Sequence, residues 1–157
     1  MRNIVTVTGY VNVRVVDSDG NEKYSSLIKN TETIIGRSRV AELIGGLSTS
    51  PFKYIGIGVG DISQHPPSPG DTSLVEEVAR KEATVSKRNT YSDGDTVVLE
   101  AVFSNADGLS GVKTISEAGV FNASSGGDMF ARAPMNNILV NFDGGDVLYV
   151  SWSIIVG

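Results

Sequence analysis

Five glutamates, Glu76, Glu77, Glu82, Glu100 and Glu117, are the side chains best suited to catalysis in this sequence. Two carboxylates held about 5 to 10 Å apart can divide acid and base roles in glycoside hydrolysis. Nothing in their spacing singles out a pair, so they read as solvated surface charge, with one exception. Glu117 sits among apolar residues in TISEAGVF, where a carboxylate needs a cation or backbone donors; Arg80 or Arg132 is expected to supply the cation. Asp17, Asp19 and Asn21 alternate as oxygen ligands do at the start of a calcium loop. Such a loop carries Gly at its sixth position and an acid at its twelfth, whereas this chain has Glu22 and Ile28 there, and the segment reads as a hairpin turn. The glycines of GIGVGD expose backbone as phosphate-binding loops do, but no helix start and no Lys-Ser/Thr pair follows, so close packing is the expectation. His65 has no companion ligand or nucleophile and reads as an exposed loop residue. Tyr10, Tyr24, Tyr54 and Tyr91 are too dispersed for a sugar-stacking platform.

The elements that would position these groups are mostly strands. Gly, Ser, Asn and Asp break the chain at short intervals, and the apolar residues between breaks alternate. Val5, Val7, Val11, Val13 and Val15 fall on one side of a first strand, with the period of two that a half-buried strand requires. Over NTETIIGRSRVAELI the alternation stops, and an Asn/Thr cap with a closing Gly45-Gly46 predicts one helix near 31–44. It is expected to pack Ile35, Val40, Leu43 and Ile44 on a sheet. In FKYIGIGVG, Ile55, Ile57 and Val59 share one face and Gly56, Gly58 and Gly60 the other; a bare face invites close approach by backbone or a large side chain. DISQHPPSPGDTS must be a surface loop, since proline cannot donate ladder hydrogen bonds, with a short helical turn over 74–79 after it. Strands are then expected at about 80–87, 95–103, 112–121, 128–133, 138–142 and 147–156, separated by SDGD, NADGLSG, NASSGGD and DGGD turns. The fold class is all-β, or mainly β with one accessory helix: a β-sandwich or jelly-roll-like barrel of about eight to nine strands. Residues 1–29 are read as an N-terminal strand or arm and 30–157 as the sandwich domain.

Composition narrows the function further. The 157 residues carry 13 Lys and Arg against 18 Asp and Glu, a net charge of −5. An acidic chain without a basic stretch is poorly suited to phosphate backbones, so no nucleic-acid partner is expected. With no Cys and a single His, disulfides, thiolate zinc sites and cysteine nucleophiles are excluded, and neither a metal nor a cofactor is implied. The first residues lack the layout of a signal peptide and no run reaches the ~18 apolar residues of a membrane span; the expectation is a soluble protein made in a cytoplasm, with no membrane partner.

The order of segments carries a likeness. A helix ending in Gly-Gly, then YIGIGVG, PPSPGDTSLVEEVARK, a β pair, TISEAGVFNASSGGDMFARA and a closing DVLYVSWSIIV resembles a family of small virion proteins of tailed bacteriophages, described as capsid decoration (auxiliary, cement) proteins or as tail-fibre-like proteins. The match spans about residues 30 to 156. Its most specific parts are D-T-x-L-x-x-E-V-x-R at 71–80 and E-A-G-V-F-N-A-x-x-G-G-x-M-x-A-R at 117–132. The resemblance implies a non-enzymatic subunit, commonly a homotrimer, on the capsid exterior with the major capsid protein as partner, assembled in the host cytoplasm. A tail-fibre or baseplate component contacting the host surface is the alternative, and a small β-sandwich carbohydrate-active enzyme the second. Interface candidates chosen for expected exposure are Asn3 and Arg14 on the arm, His65, Pro66 and Pro67 in the loop, and the Met135-Asn136-Asn137 corner. The arm is expected to add a strand to an adjacent subunit.

Overall fold

The computed structural model describes residues 4–157. Its strands are β1 (Val7–Val16), β2 (Glu22–Lys29), β3 (Thr31–Glu32), β4 (Tyr54–Gly58), β5 (Glu77–Glu82), β6 (Thr84–Arg88), β7 (Thr96–Phe103), β8 (Val112–Phe121), β9 (Met129–Asn141) and β10 (Val147–Val156), with one helix, α1 (Ile34–Ile44). They form two antiparallel five-stranded sheets. Sheet A runs β2-β1-β10-β7-β6 and sheet B runs β3-β9-β8-β4-β5. The fold is a mainly β sandwich with one accessory helix, and alternation explains its core. Val11, Val13 and Val15 of β1 and Leu148, Val150 and Trp152 of β10 face inward and are fully buried against Ile55, Ile57, Ala118 and Val120 of sheet B. Each fully buried aliphatic side chain of this kind contributes about 1.5 to 3 kcal/mol.

Four expectations need correction. Residues 7–29 are not an arm: β1 is paired on both sides, by β2 and by β10, and its valines are core. No edge of β1 is left for a neighbouring subunit. The segment after the proline loop is not a helical turn, because Glu77–Glu82 pairs with β4; its helix-like spacing is overridden by ladder hydrogen bonds. Nor are residues 80–87 one strand. The chain leaves sheet B at β5, passes buried Ala83, and enters sheet A as β6, so one stretch edges both sheets. Conversely, the two strands expected at 128–133 and 138–142 are a single β9. Pro134 is tolerated there because β3 flanks β9 only at Ala131 and Arg132, leaving the ladder one-sided at the proline.

Helix α1 starts where the Thr33 hydroxyl accepts from the Gly36 N–H at 2.8 Å. Thr33 N–H donates to Phe130 O and Ile34 N–H to Pro69 O, which ties the first turn to β9 and to the proline loop. Gly36 is the helix's buried residue. A Cβ there would lie 2.6 Å from Phe130 Cα, so its absence sets how closely the helix sits on β9. At the other end Gly45 and Gly46 donate to Ala41 and Leu43 carbonyls, and Ile44, expected to pack, is 84% exposed. The helix is fastened at its start and lifted at its end.

Candidate functional site

Two regions outside the main core concentrate the residues singled out above. The first is the outer face of sheet B, covered by residues 59–76. Glu117 is fully buried there. Its Oε1 accepts from Val75 N–H at 2.9 Å and Arg132 Nε at 3.1 Å, and its Oε2 from Glu76 N–H at 2.8 Å and Gly60 N–H at 3.1 Å. Arg132 Nη2 lies 3.0 Å from Oε1 without the alignment of a hydrogen bond, a purely ionic contact. Arg132 Nη1 donates to Asp71 at 3.0 Å. The carboxylate therefore fastens both ends of the loop to the sheet, while Val59 N–H closes its neck on Glu76 O. Charge burial of this kind is tolerated only when every lone pair is met.

Sequence explains the room for it. The bare face of β4 lies under the carboxylate: Cβ atoms on Gly58 and Gly60 would come within 2.6 and 2.5 Å of Glu117 Oε2. Beside it, Leu74 packs with Phe121 and Met129 in a small apolar cluster. Arg80 is not the partner of Glu117. Its guanidinium lies 3.5 Å from the Phe121 ring centroid, pairs with Glu77 at 2.7 Å and donates to the Ala123 and Gly126 carbonyls. The two stretches most specific to the resemblance, 71–80 and 117–132, thus pack on one another through Asp71, Leu74, Arg80, Glu117, Phe121 and Arg132.

The interface candidates scatter. Asn3 lies outside the described residues. Arg14 is exposed on the outer face of sheet A, 4.5 Å over the Tyr149 ring. His65 and Pro66 are exposed and Pro67 half-buried. His65 N–H donates to Asp61 O, and the Ser63 hydroxyl and N–H, donating to Asp61, hold that carboxyl below the usual range. Met135 is a correction: it is fully buried. Ser116 of β8 is faced by a bulge of β9 that turns Met135 into the core and Asn136 and Asn137 out, both with φ of +53°, a left-handed conformation that asparagine tolerates better than most residues. Ser116 Oγ donates to Gly60 O, so the bulge adjoins the root of the proline loop. Of the other carboxylates, Glu82 pairs with Lys53 at 2.7 Å, and Glu76 and Glu100 are exposed. Asp17 Oδ1 accepts from the Asp19 and Asn21 N–H groups, spending it on the turn. Among the described residues no three His, Asp or Glu side chains cluster as a metal site.

The second region escaped the sequence reading. Between α1 and the inner face of sheet A lies an open apolar groove in two adjoining parts. One, of about 590 Å³, runs past Val5, Val7, Val40 and Ile44 with Lys29, Glu32 and Arg37 on its walls. The other, of about 380 Å³, continues past Leu43, Phe52, Val85, Val97 and Val156. Val7, Val40 and Phe130 line both. Exposed Ile44 stands on its lip. The alternating valines of β6, β7 and β10 hinted at it, but only the lifted end of α1 leaves them uncovered.

Comparison with protein-family models, curated proteins and solved structures finds no match for this chain.

Proposed function

We propose that the chain is a structural subunit of a tailed-bacteriophage virion, a capsid decoration protein that binds the outside of the head and holds neighbouring coat subunits together. One observation carries the reading: the groove between α1 and sheet A, an apolar surface that the described residues leave uncovered. Contiguous exposed apolar surface of this kind marks interaction sites in soluble proteins. A subunit whose work is burial of surface stabilises a lattice by mass action, because its binding free energy must be lost before coat subunits separate. The carboxylates give the enzymatic reading little support, since Glu117 is consumed by the loop and Glu77 and Glu82 by ion pairs. The tail reading draws on the exposed Asn136-Asn137 bulge beside the proline loop, a displayed loop pair of the sort that recognises surfaces.

Dissociating virions of the source phage, separating heads from tails and counting this chain against the major coat protein by mass spectrometry tests it. Recovery on heads at a copy number comparable to the coat protein is the expected result. Recovery at low copy with tails would put the tail component in its place, and absence from virions would overturn both.

A further inference from the structure

Sheet A ends at β6, and the alternation of its ladder fixes which backbone groups that strand leaves free. Val156 N–H donates to Asp95 O, so the odd residues of β7 bond to β10 and, because antiparallel pairs alternate, its even residues bond to β6. Thr84, Ser86 and Arg88 stand opposite Glu100, Val98 and Thr96 and are therefore the bonded set. The N–H and C=O groups of Val85 and Lys87 point the other way, where no further strand of sheet A lies among the described residues. Every residue of β6 is exposed.

We propose that β6 pairs with β6 of a second copy of this chain, antiparallel about a twofold axis at Ser86, joining the two A sheets into one. In that register Val85 exchanges both hydrogen bonds with the second copy's Lys87, and Lys87 with the second copy's Val85, so every free backbone group of both strands is met. The neighbouring registers do worse. An axis at Val85 sets Lys87 against Ala83, whose N–H already donates to Lys53 O; an axis at Lys87 sets two lysines directly opposite, a like-charge pair.

Charge selects the same register independently. It sets Arg88 opposite the second copy's Thr84, whose neighbour on β7 is Glu100. Glu100 is exposed and has no ion-pair partner among the described residues. Arg88 has no acid either; its Nη2 donates to the Ser153 hydroxyl at 2.8 Å. That hydroxyl is on β10, two strands from β6, and the second copy's Glu100 is two strands away on the other side, about 10 Å between Cα atoms. A side chain of that reach can exchange a neutral acceptor for a carboxylate, and the twofold makes the pair twice. The other edges lack such a match. On β5, Glu77, Arg80, Lys81 and Glu82 are already paired. On β2, Glu22 meets Arg14 and Lys23 meets Asp146, leaving Lys29 with no acid to offer it, and β3 has two residues. Holding neighbouring coat subunits together takes two binding surfaces, and the twofold places two grooves on one joined sheet, each lined by its own Val85. The pairing itself does not rest on the virion reading.

Sedimentation equilibrium of the purified full chain tests it. A monomer–dimer equilibrium is expected, weakened by salt and about tenfold weaker in Arg88→Glu. Combining Arg88→Glu with Glu100→Arg is expected to restore it, since the twofold re-forms both pairs with their charges exchanged. Lys87→Pro deletes an N–H that bonds to no strand in the single copy, a position where edge strands tolerate proline; it is expected to weaken self-association while the dilute protein keeps its melting temperature. Residue-resolved hydrogen exchange is expected to slow at Val85 and Lys87 as concentration rises. A chain that stays monomeric, or one that forms the trimer implied by the phage resemblance, would overturn the proposal. So would a dimer indifferent to Lys87→Pro, or a double exchange that fails to restore what Arg88→Glu removes. No head or coat protein enters these measurements, so their failure is separate from failure to find the chain in virions.

Discussion

The outer face of sheet B and the groove beneath α1 treat burial in opposite ways. On sheet B the chain buries its most costly group, the Glu117 carboxylate, and meets it with three backbone N–H groups and Arg132. Under α1 it leaves its cheapest groups to bury, valines and isoleucines, facing an open groove. Both carboxylate oxygens of Glu117 are met by donors where the fold needs it, and apolar surface is left uncovered where the fold does not. The first region is spent on stability; the second is left for something else to cover. Substitutions in the two should therefore separate stability from binding.

The largest effect is expected at the carboxylate. Glu117→Gln keeps the shape but removes the charge that balances Arg132 and points an amide NH2 at N–H donors. Stranding a buried partner in this way costs about 3 to 5 kcal/mol, and for a chain of this size each kcal/mol lowers the melting temperature by roughly 2 to 4 °C. Calorimetry on the purified variant checks it; an unchanged Tm would mean the loop is not fastened through this group. Faster hydrogen exchange confined to residues 59–76 is the local signature.

Next comes Gly36→Ala, where the added methyl meets Phe130 backbone at 2.6 Å. Alanine favours a helix over glycine by about 1 kcal/mol, yet overpacking against an immobile backbone costs about 1 to 3 kcal/mol, so a net loss of stability is expected. This substitution sharpens the comparison because it acts on both regions. It pushes α1 off β9, and a chemical-denaturation midpoint at or above wild type would show that the helix already has slack.

What was legible in the sequence follows the same division. Alternation gave the inward valines of β1 and β10 and the bare face of β4, because period two is a local property that burial enforces strand by strand. Glu117 was recognisable as a carboxylate in an apolar run, though choosing Arg132 over Arg80 was not: it depends on strand order, which sets β9 with Arg132 beside β8 and separates β5 with Arg80 from it by β4. The sheet switch at Ala83, the bulge that buries Met135, and the strand at 77–82 were hidden because tertiary pairing decided them. The groove was the least legible, since it is assembled from β1, β6, β7, β10 and α1 and exists only because the helix ends high. The stretches that carry the phage resemblance turn out to be the two sides of the Glu117 contact. They therefore report how the loop is held, and a binding surface need not share them.

A smaller effect is expected at Asp146, buried where β9 turns into β10. Burial pushes its carboxyl up, but hydrogen bonds from Lys23 Nζ at 2.7 Å and Asn141 N–H at 2.8 Å, with the lysine charge, outweigh that and hold it below the ordinary range. A carboxyl whose folded pKa lies below its unfolded value of about 3.9 stabilises fully above that pH and loses the contribution as pH falls through the folded pKa. Asp146→Asn should cost on the order of 1 kcal/mol near neutrality. The gap in Tm between wild type and variant is expected to hold steady above about pH 5 and to narrow below about pH 4; a gap that widened on acidification would reverse the sign and with it the account of the ion pair.

The smallest effect on stability is expected at the lip of the groove, and it is the one that separates the two regions most cleanly. Ile44 closes α1 and lines the groove but is 84% exposed. Replacing it with Ser removes apolar surface that water already reaches, so the melting temperature should stay within the shift produced by about 0.5 kcal/mol. The same change removes part of what a partner would bury, and binding of the purified chain to heads stripped of it should weaken measurably in a sedimentation assay. A Tm that fell as far as that of Glu117→Gln would mean that α1 closes over the groove in solution and that its apolar surface belongs to the fold. Unchanged stability with weakened binding is the outcome that follows from a helix fastened at Thr33 and left free at Ile44.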